Sequence, residues 1–281
     1  MANVFDGLTI VSSKLIQHIS SLQNTRIKTA LKLHSSRGRK EQNRIIIFGC
    51  REFERAAASK VEFTEVFVHH QADQEIFKMV ESDVSPDAMI ATVSNDVFSK
   101  LMFGERADVV IAVAKRPSTN LETIKFAGSG FVLVLQAIEK PGNLGAILRT
   151  ADACNAAAVL LADSETDFYH PNSIRASTGA VFKLPVATGT STEVQGWIAA
   201  NQLRVVTAIV EGSTELFDAD LTGNIVLVLG NEARGLDEQW RNENFQPIRL
   251  PMQGIADSLN VSVTAAVMMY ETVRQQKTGR A

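Results

Sequence analysis

Three short stretches in the second half of the chain combine residue types that can bind and orient a polar ligand. The first is Glu139-Lys140-Pro141-Gly142-Asn143-Leu144-Gly145, with Arg149 four residues beyond it. Glycines at a strand-to-helix turn let backbone approach a ligand, and the helix N-terminus that follows favours an anion. Arg149 lies about one helical turn past Gly145, so its guanidinium can look back toward the turn; equally, a surface carboxylate can hold it. The second stretch is Leu229-Gly230-Asn231-Glu232-Ala233-Arg234-Gly235. It pins a carboxylate between glycines, either to accept hydrogen bonds from a ligand or as a plain solvated loop. The third runs Leu250-Pro251-Met252-Gln253-Gly254 and then Asp257-Ser258-Leu259-Asn260-Val261-Ser262. Ser and Asn there are natural helix N-caps, and most such residues do nothing else. What separates the three stretches from chance is their appearance in order at predicted strand ends of one domain.

Other chemistries are excluded. The first turn is not G-x-G-x-x-G, and no Gly-Lys-Ser/Thr follows, so dinucleotide and ATP readings fall. Asp163 reads as loop polarity rather than a ribose-binding acid. His18, His34, His69, His70 and His170 have no metal spacing, and Cys50 and Cys154 form no Cys-x-x-Cys, so no metal is expected.

Alternating strand and helix patterns position these turns. In the first half, strands are predicted at Arg44–Phe48, Phe63–Val68, Met89–Val93 and Val109–Ala114, with helices at Arg51–Ser59, Glu75–Val80 and Asp96–Met102. After a Pro/Ser/Gly-rich stretch come a near-continuous apolar strand at Phe131–Ile138 and a helix from Gly142 to Cys154. Strands follow at Ala158–Ala162, Val181–Leu184, Val205–Ile209, Ile225–Gly230 and Pro247–Leu250. The last helix, Asn260 to Gln275, carries Val263, Val267, Tyr270 and Val273 on one stripe. This alternation predicts an α/β fold with a mostly parallel sheet, whose ligands bind at the carboxyl ends of the strands. The expected domains are 1–114, a linker at 115–130, and 131–281.

At 281 residues with 45% hydrophobic and 21% charged residues, the chain can bury a real core, which excludes disorder. No segment is apolar for the ~20 residues a membrane span requires, and the N-terminus lacks a signal-peptide pattern; a cytoplasmic protein is expected. The net charge of −3 carries no global nucleic-acid signature. Yet Arg26, Lys28, Lys32, Arg37, Arg39, Lys40 and Arg44 crowd one stretch relieved only by Glu41, either a solvated face or an RNA contact.

The motifs N-x-G-x-x-x-R-T-A-D-A (Asn143 to Ala153), L-G-N-E-A-R-G (Leu229 to Gly235) and L-P-M-x-G-x-x-x-S-L-N-V-S-V (Leu250 to Val263) resemble the SpoU (TrmH-like) branch of the SPOUT methyltransferases. These transfer methyl from S-adenosylmethionine to a ribose 2′-hydroxyl in ribosomal or transfer RNA. The first half resembles their ribosomal-protein-L30e-type substrate-binding domain, and Phe103-Gly104-Glu105-Arg106 is similar to the thiostrepton-resistance members.

The resemblance implies a C-terminal trefoil knot and a homodimer with sites near the subunit interface. It places the cofactor against Leu229, Gly230, Asn231, Leu250, Met252 and Leu259, and makes Asn143, Arg149, Glu232, Ser258 and Asn260 the catalytic set. The implied activity is 2′-O-methylation, with ribosomal RNA favoured by the extra N-terminal domain. Transfer RNA, or a non-catalytic RNA-binding role, are the alternatives. With that resemblance the basic stretch from Arg26 to Arg44 reads as the RNA contact.

Overall fold

The computed structural model describes residues 4–5, 8–11, 14–104, 108–128, 130–211 and 214–278. Glu105 and Arg106 of the Phe103–Arg106 motif lie outside the described residues. The chain packs as two units: the residues up to Pro117 with Tyr169–Lys183, and Ser118–Phe168 with the residues from Leu184 onward.

The first unit runs β1 (Val4–Phe5), β2 (Leu8–Val11), β3 (Lys14–Ile19), α1 (Thr25–Lys32), α2 (Ser36–Gln42), β4 (Arg44–Phe48), α3 (Cys50–Ala58), β5 (Phe63–His69), α4 (Gln74–Asp83), β6 (Met89–Val93), α5 (Asn95–Leu101) and β7 (Val110–Lys115). Its sheet has the order β1-β2-β3-β6-β5-β7-β4, parallel only at β3/β6 and β6/β5. Helices α1, α2, α4 and α5 start where a side chain satisfies an orphan backbone N–H: Asn24 accepts from Arg26, Ser35 from Gly38, Asp73 from Ile76 and Ser94 from Val97.

The second unit begins with β8 (Phe131–Gln136), α6 (Pro141–Ala153) and β9 (Ala158–Ala162). The chain then contributes α7 (Pro171–Ala176) to the first unit, where Arg55 donates to the Thr178 carbonyl at 2.5 Å and Arg175 to the Phe103 carbonyl at 2.9 Å. It returns as β10 (Val186–Gly189), α8 (Ser191–Ala200), β11 (Arg204–Ala208), β12 (Thr214–Glu215), β13 (Ile225–Leu229), β14 (Gln246–Arg249) and α9 (Val261–Thr278). The order is β10-β9-β8-β13-β11-β14-β12, and every pairing is parallel. Every residue of β8, β9 and β13 is buried, the pattern of strands covered on both faces. Because these strands run the same way, the turns after β8, β11, β13 and β14 open at one edge of the sheet.

Two sequence expectations are corrected. Val181–Leu184 is not a strand: Ala180–Phe182 form a 3-10 turn after Gly179, which sits at φ 84°. A four-residue segment with three apolar side chains cannot distinguish a strand from a buried turn, and Pro185 intervenes before the true edge strand β10. On α9 the stripe is inverted. Ala265, Met268, Met269 and Thr272 face the core, whereas Val263 and Tyr270 are 46% and 57% exposed.

Candidate active site

Proline at its first position starts α6, and its buried face is Leu144, Gly145, Ile147, Leu148 and Ala151. Asn143 and Arg149 fall on the other side of that helix, half-buried and exposed respectively. After β13 the chain closes a small loop, in which Asn231 N–H donates to the Gly235 carbonyl at 3.0 Å and Gly235 N–H to the Asn231 carbonyl at 2.9 Å. Gly230 is obligatory, because a Cβ there would overlap the backbone of Gly235 and Leu236. The Asn231 amide stitches this loop to the turn after β8. It donates at 2.9 Å to the Ala137 carbonyl and at 2.9 Å to Glu139 Oε1, while its oxygen accepts from the backbone N–H groups of Ala233 and Arg234.

That stitching brings the three turns together. Asn143 Nδ2 donates to Glu232 Oε1 at 2.9 Å, and Asn260 Nδ2 reaches Asn143 Oδ1 at 3.4 Å. Asn260 Oδ1 in turn caps α9, accepting from the Ser262 N–H at 2.9 Å and the Ser262 hydroxyl at 2.7 Å. Glu232 Oε2 is buried and has no hydrogen-bond partner among the described residues. A buried acceptor left unmatched is costly, so its persistence points to a donor arriving from outside. Arg149 has no hydrogen bond or ion pair among the described residues.

Next along the chain from Asn260, Ser258 and Leu259 line a cavity of about 550 Å³ at the carboxyl ends of β11 and β14, with Ile209, Ile248, Leu250 and Met252. Pockets of roughly 300–1,000 Å³ take small molecules. Its apolar side chains suit the face of a purine, and Glu215 and Asp257 among its lining suit a molecule carrying positive charge. Of the six expected cofactor residues, Leu250, Met252 and Leu259 line the cavity. Leu229 is instead buried at the strand end, Gly230 packs on its own loop, and the Asn231 side chain is consumed by internal bonds. Sequence reasoning missed Ala208–Val210, Glu215 and Arg249. The signal was present, because the strand at Val205–Ile209 was expected and its carboxyl end belongs to the ligand edge like the others.

In the first unit the basic stretch divides. Lys28, Lys32 and Lys40 are exposed on α1 and α2 without an ion pair among the described residues. Arg26 and Arg44 both grip the buried Glu65, at 2.8 and 2.6 Å, and Arg37 pairs with Glu41 at 2.6 Å. Arg39 is a correction: it is fully buried and donates to the carbonyls of Leu33 and His34 at 2.9 and 3.0 Å, so it closes the end of α1 and cannot meet RNA. His34 packs edge-on against Phe48 and Phe103, and its burial lowers the imidazole pKa from the ordinary value. No group of three or more His, Cys, Asp or Glu among the described residues is placed to hold a metal.

Against known proteins, a model of the MRM3-like substrate binding domain matches residues 24–112, and a model of the SpoU rRNA Methylase family matches residues 130–270. The chain belongs to the SpoU rRNA methylase family. Among SpoU relatives it is 35% identical over 177 residues to a 23S rRNA (uridine(2479)-2′-O)-methyltransferase of Streptomyces viridochromogenes, a match spanning 61% of this chain and 62% of that protein. It is 28% identical to the 23S rRNA (guanosine(2553)-2′-O)-methyltransferase RlmP of Bacillus subtilis, over 91% of this chain and 98% of that protein. The crystal structure of the SpoU methyltransferase AviRb from Streptomyces viridochromogenes in complex with AdoMet superposes with a TM-score of 0.83 at 26% identity, covering 90% of this chain and 98% of that one. The parallel sheet and the three motif turns of this chain are thus seen in a SpoU setting.

Proposed function

We propose that this chain is an S-adenosylmethionine-dependent RNA methyltransferase that methylates a ribose 2′-hydroxyl, with ribosomal RNA as its substrate. The observation that carries the reading is the convergence of Asn143, Glu232 and Asn260 from three turns, one residue along the chain from the wall of the cavity. The named activities of the Streptomyces and Bacillus relatives support it, and the AdoMet-bound AviRb supports the cofactor. Leu250, Met252 and Leu259 would hold that cofactor in the cavity, which supplies an electrophilic methyl group when bound.

What the side chains contribute is placement and charge. Orienting a hydroxyl in line with a methyl group lowers such a barrier by up to ~7–11 kcal/mol. The Arg149 guanidinium grips the adjacent phosphate bidentately and stabilises the negative charge that develops on the 2′-oxygen as its proton passes to solvent and the methyl group arrives. Glu232 Oε2 accepts the substrate's or arginine's donor, and Asn143 holds that carboxylate in position. Ser258 and Asn260 fix the entry to α9 beside the bound sugar.

The proposal includes the trefoil knot, a cytoplasmic location and a homodimer. Val263 and Tyr270 on α9, with Ile255 and Leu259 in the loop leading into it, expose large apolar side chains that a second copy would cover. No helix among the described residues is long and apolar enough to cross a membrane. The first unit is the RNA-binding domain, with Lys28, Lys32 and Lys40 as its phosphate contacts.

The test is transfer of labelled methyl from S-adenosylmethionine to unmodified ribosomal RNA and transfer RNA, with Arg149→Ala in parallel and the product digested to nucleosides. Label in a 2′-O-methyl nucleoside of ribosomal RNA, lost in Arg149→Ala while cofactor affinity is kept, is the expected result. Unchanged turnover in Arg149→Ala overturns the role of the arginine, and label confined to transfer RNA overturns the substrate.

A further inference from the structure

Three charged side chains line the cavity: Glu215, Arg249 and Asp257. None belongs to the set of residues expected to bind the cofactor or to carry the reaction. Glu215 and Arg249 face each other as direct cross-strand partners at the edge of the sheet, the last residues of β12 and β14. Arg249 Nη2 donates to Glu215 Oε1 at 3.0 Å. Their side chains are 40% and 38% exposed, so the pair sits at the wall rather than in the interior. A pair this exposed adds little to folding, and β12 is only two residues long, so stability does not account for two paired opposite charges at the wall of the pocket.

We propose that the Glu215–Arg249 pair holds the α-amino acid end of the cofactor, the carboxylate positioning its ammonium group and the guanidinium its carboxylate. This rests on the proposed S-adenosylmethionine site. An α-amino acid is a zwitterion whose two charges are joined through a single carbon, and a pre-formed Glu–Arg pair presents the complementary charges at similar separation. The cross-strand register fixes that separation before the ligand arrives, so little ordering is spent on binding. The apolar part of the cavity, from Ile209, Ile248, Leu250 and Met252, is left for the base. Glu215 and Arg249 are therefore positioning residues. They orient the cofactor through its tail and take no part in the chemistry at the methyl group.

The experiment is calorimetric titration of the full chain with S-adenosylhomocysteine and with 5′-methylthioadenosine, which keeps the nucleoside and sulfur but lacks the amino acid. Glu215→Gln and Arg249→Met are compared with the unaltered protein, and thermal unfolding is followed in each. Losing a hydrogen bond to a charged group should weaken S-adenosylhomocysteine about ten- to hundredfold, while 5′-methylthioadenosine binding stays unchanged. The double variant should lose no more than either single one, because half a pair leaves nothing to match the zwitterion. Unchanged S-adenosylhomocysteine affinity overturns the proposal. So does an equal loss for 5′-methylthioadenosine, which would place the pair on the ribose or base. Failure of the unaltered protein to bind either nucleoside would instead overturn the S-adenosylmethionine reading itself. If Arg249→Met unfolds, Glu215→Gln alone decides, since the amide keeps the shape of the carboxylate and can still accept from Arg249.

Discussion

Truncating Asn143 to alanine should strand the Glu232 carboxylate. Of its two oxygens, Oε1 accepts from Asn143 Nδ2 at 2.9 Å and Oε2, although buried, has no partner among the described residues. Hydrogen bonds to charged groups carry about 1.5–3 kcal/mol. Asn143 is itself half-buried, so water can enter the space it leaves, and the low end of that range applies. A cost of about 1.5 kcal/mol corresponds to roughly 3–6 °C in melting temperature for a unit of this size. The Asn260 contact adds little, being a 3.4 Å approach at an exposed residue. Thermal and urea unfolding of Asn143→Ala, Glu232→Ala and the double variant form a cycle that isolates the pair. Once the carboxylate is gone, removing Asn143 should cost almost nothing, giving a coupling of about 1–1.5 kcal/mol. Independent sites add to within ~0.3–0.5 kcal/mol, so a coupling below about 0.5 kcal/mol would refute the reasoning. Glu232→Gln completes the argument. It keeps an acceptor for Asn143 and removes the charge, so stability should hold while methyl transfer falls by at least tenfold. Wild-type turnover in Glu232→Gln would show that the partnerless oxygen receives no donor during the reaction.

Gly230→Ala forces a methyl group into the backbone of Gly235 and Leu236. Overpacking costs typically 1–3 kcal/mol, and here the obstacle is main chain, so the loop carrying Glu232 should shift; loss of transfer with a lowered melting temperature is expected, and wild-type activity would contradict the geometry. Tyr270→Asp puts a charge on the exposed face of α9, and sedimentation should report a monomer with unchanged circular dichroism. Next to Tyr270 on the same helix, Glu271 accepts from Arg274 at 2.7 and 2.8 Å, which lowers its carboxyl pKa. A lowered folded-state pKa gives stability that is complete above the ordinary carboxylate value of 4.5 and is lost as pH falls through the lowered one. The stability gap between Glu271→Gln and the unaltered protein should therefore be full above pH 4.5, narrow below it and close once pH has passed below the lowered folded-state value; a gap that stays undiminished as pH falls would contradict the assignment.

Most of the parallel sheet was legible because its strands are short apolar runs, as at Ile225–Leu229, which lies between Gly223 and Gly230 and is buried throughout. The helix α8 was not predicted, because its signal lies in capping chemistry rather than periodicity. Thr190 and Glu193 form a reciprocal capping box at its start, while its apolar residues make no clean stripe. Tertiary use of polar groups was not legible. Asn231 has the composition of a ligand contact, yet two of its side-chain hydrogen bonds shape its own loop and two join that loop to the turn after β8, whose proximity no local pattern reveals. Arg39 sits amid six other basic residues and differs from them only in where α1 ends, which decides that its guanidinium closes carbonyls instead of meeting solvent.

The inverted stripe on α9 carries the same lesson into function. Helical periodicity shows that Val263, Val267 and Tyr270 share a face; it cannot show what covers that face. Within one chain the small and flexible residues Ala265, Met268 and Met269 take the inward position, where α9 packs on α6. The bulkier stripe is left outward, continuous in sequence with the exposed Ile255 and Leu259 of the loop that ends at Asn260. A helix with two apolar faces has one more burial to make. Covering the outer face with a second copy would also cover the loop that lines the cavity and leads to Asn260. Dimerisation and order at the active site would then be one event, so Tyr270→Asp should weaken S-adenosylhomocysteine binding in step with the loss of dimer. Full affinity in a monomeric variant would separate the two.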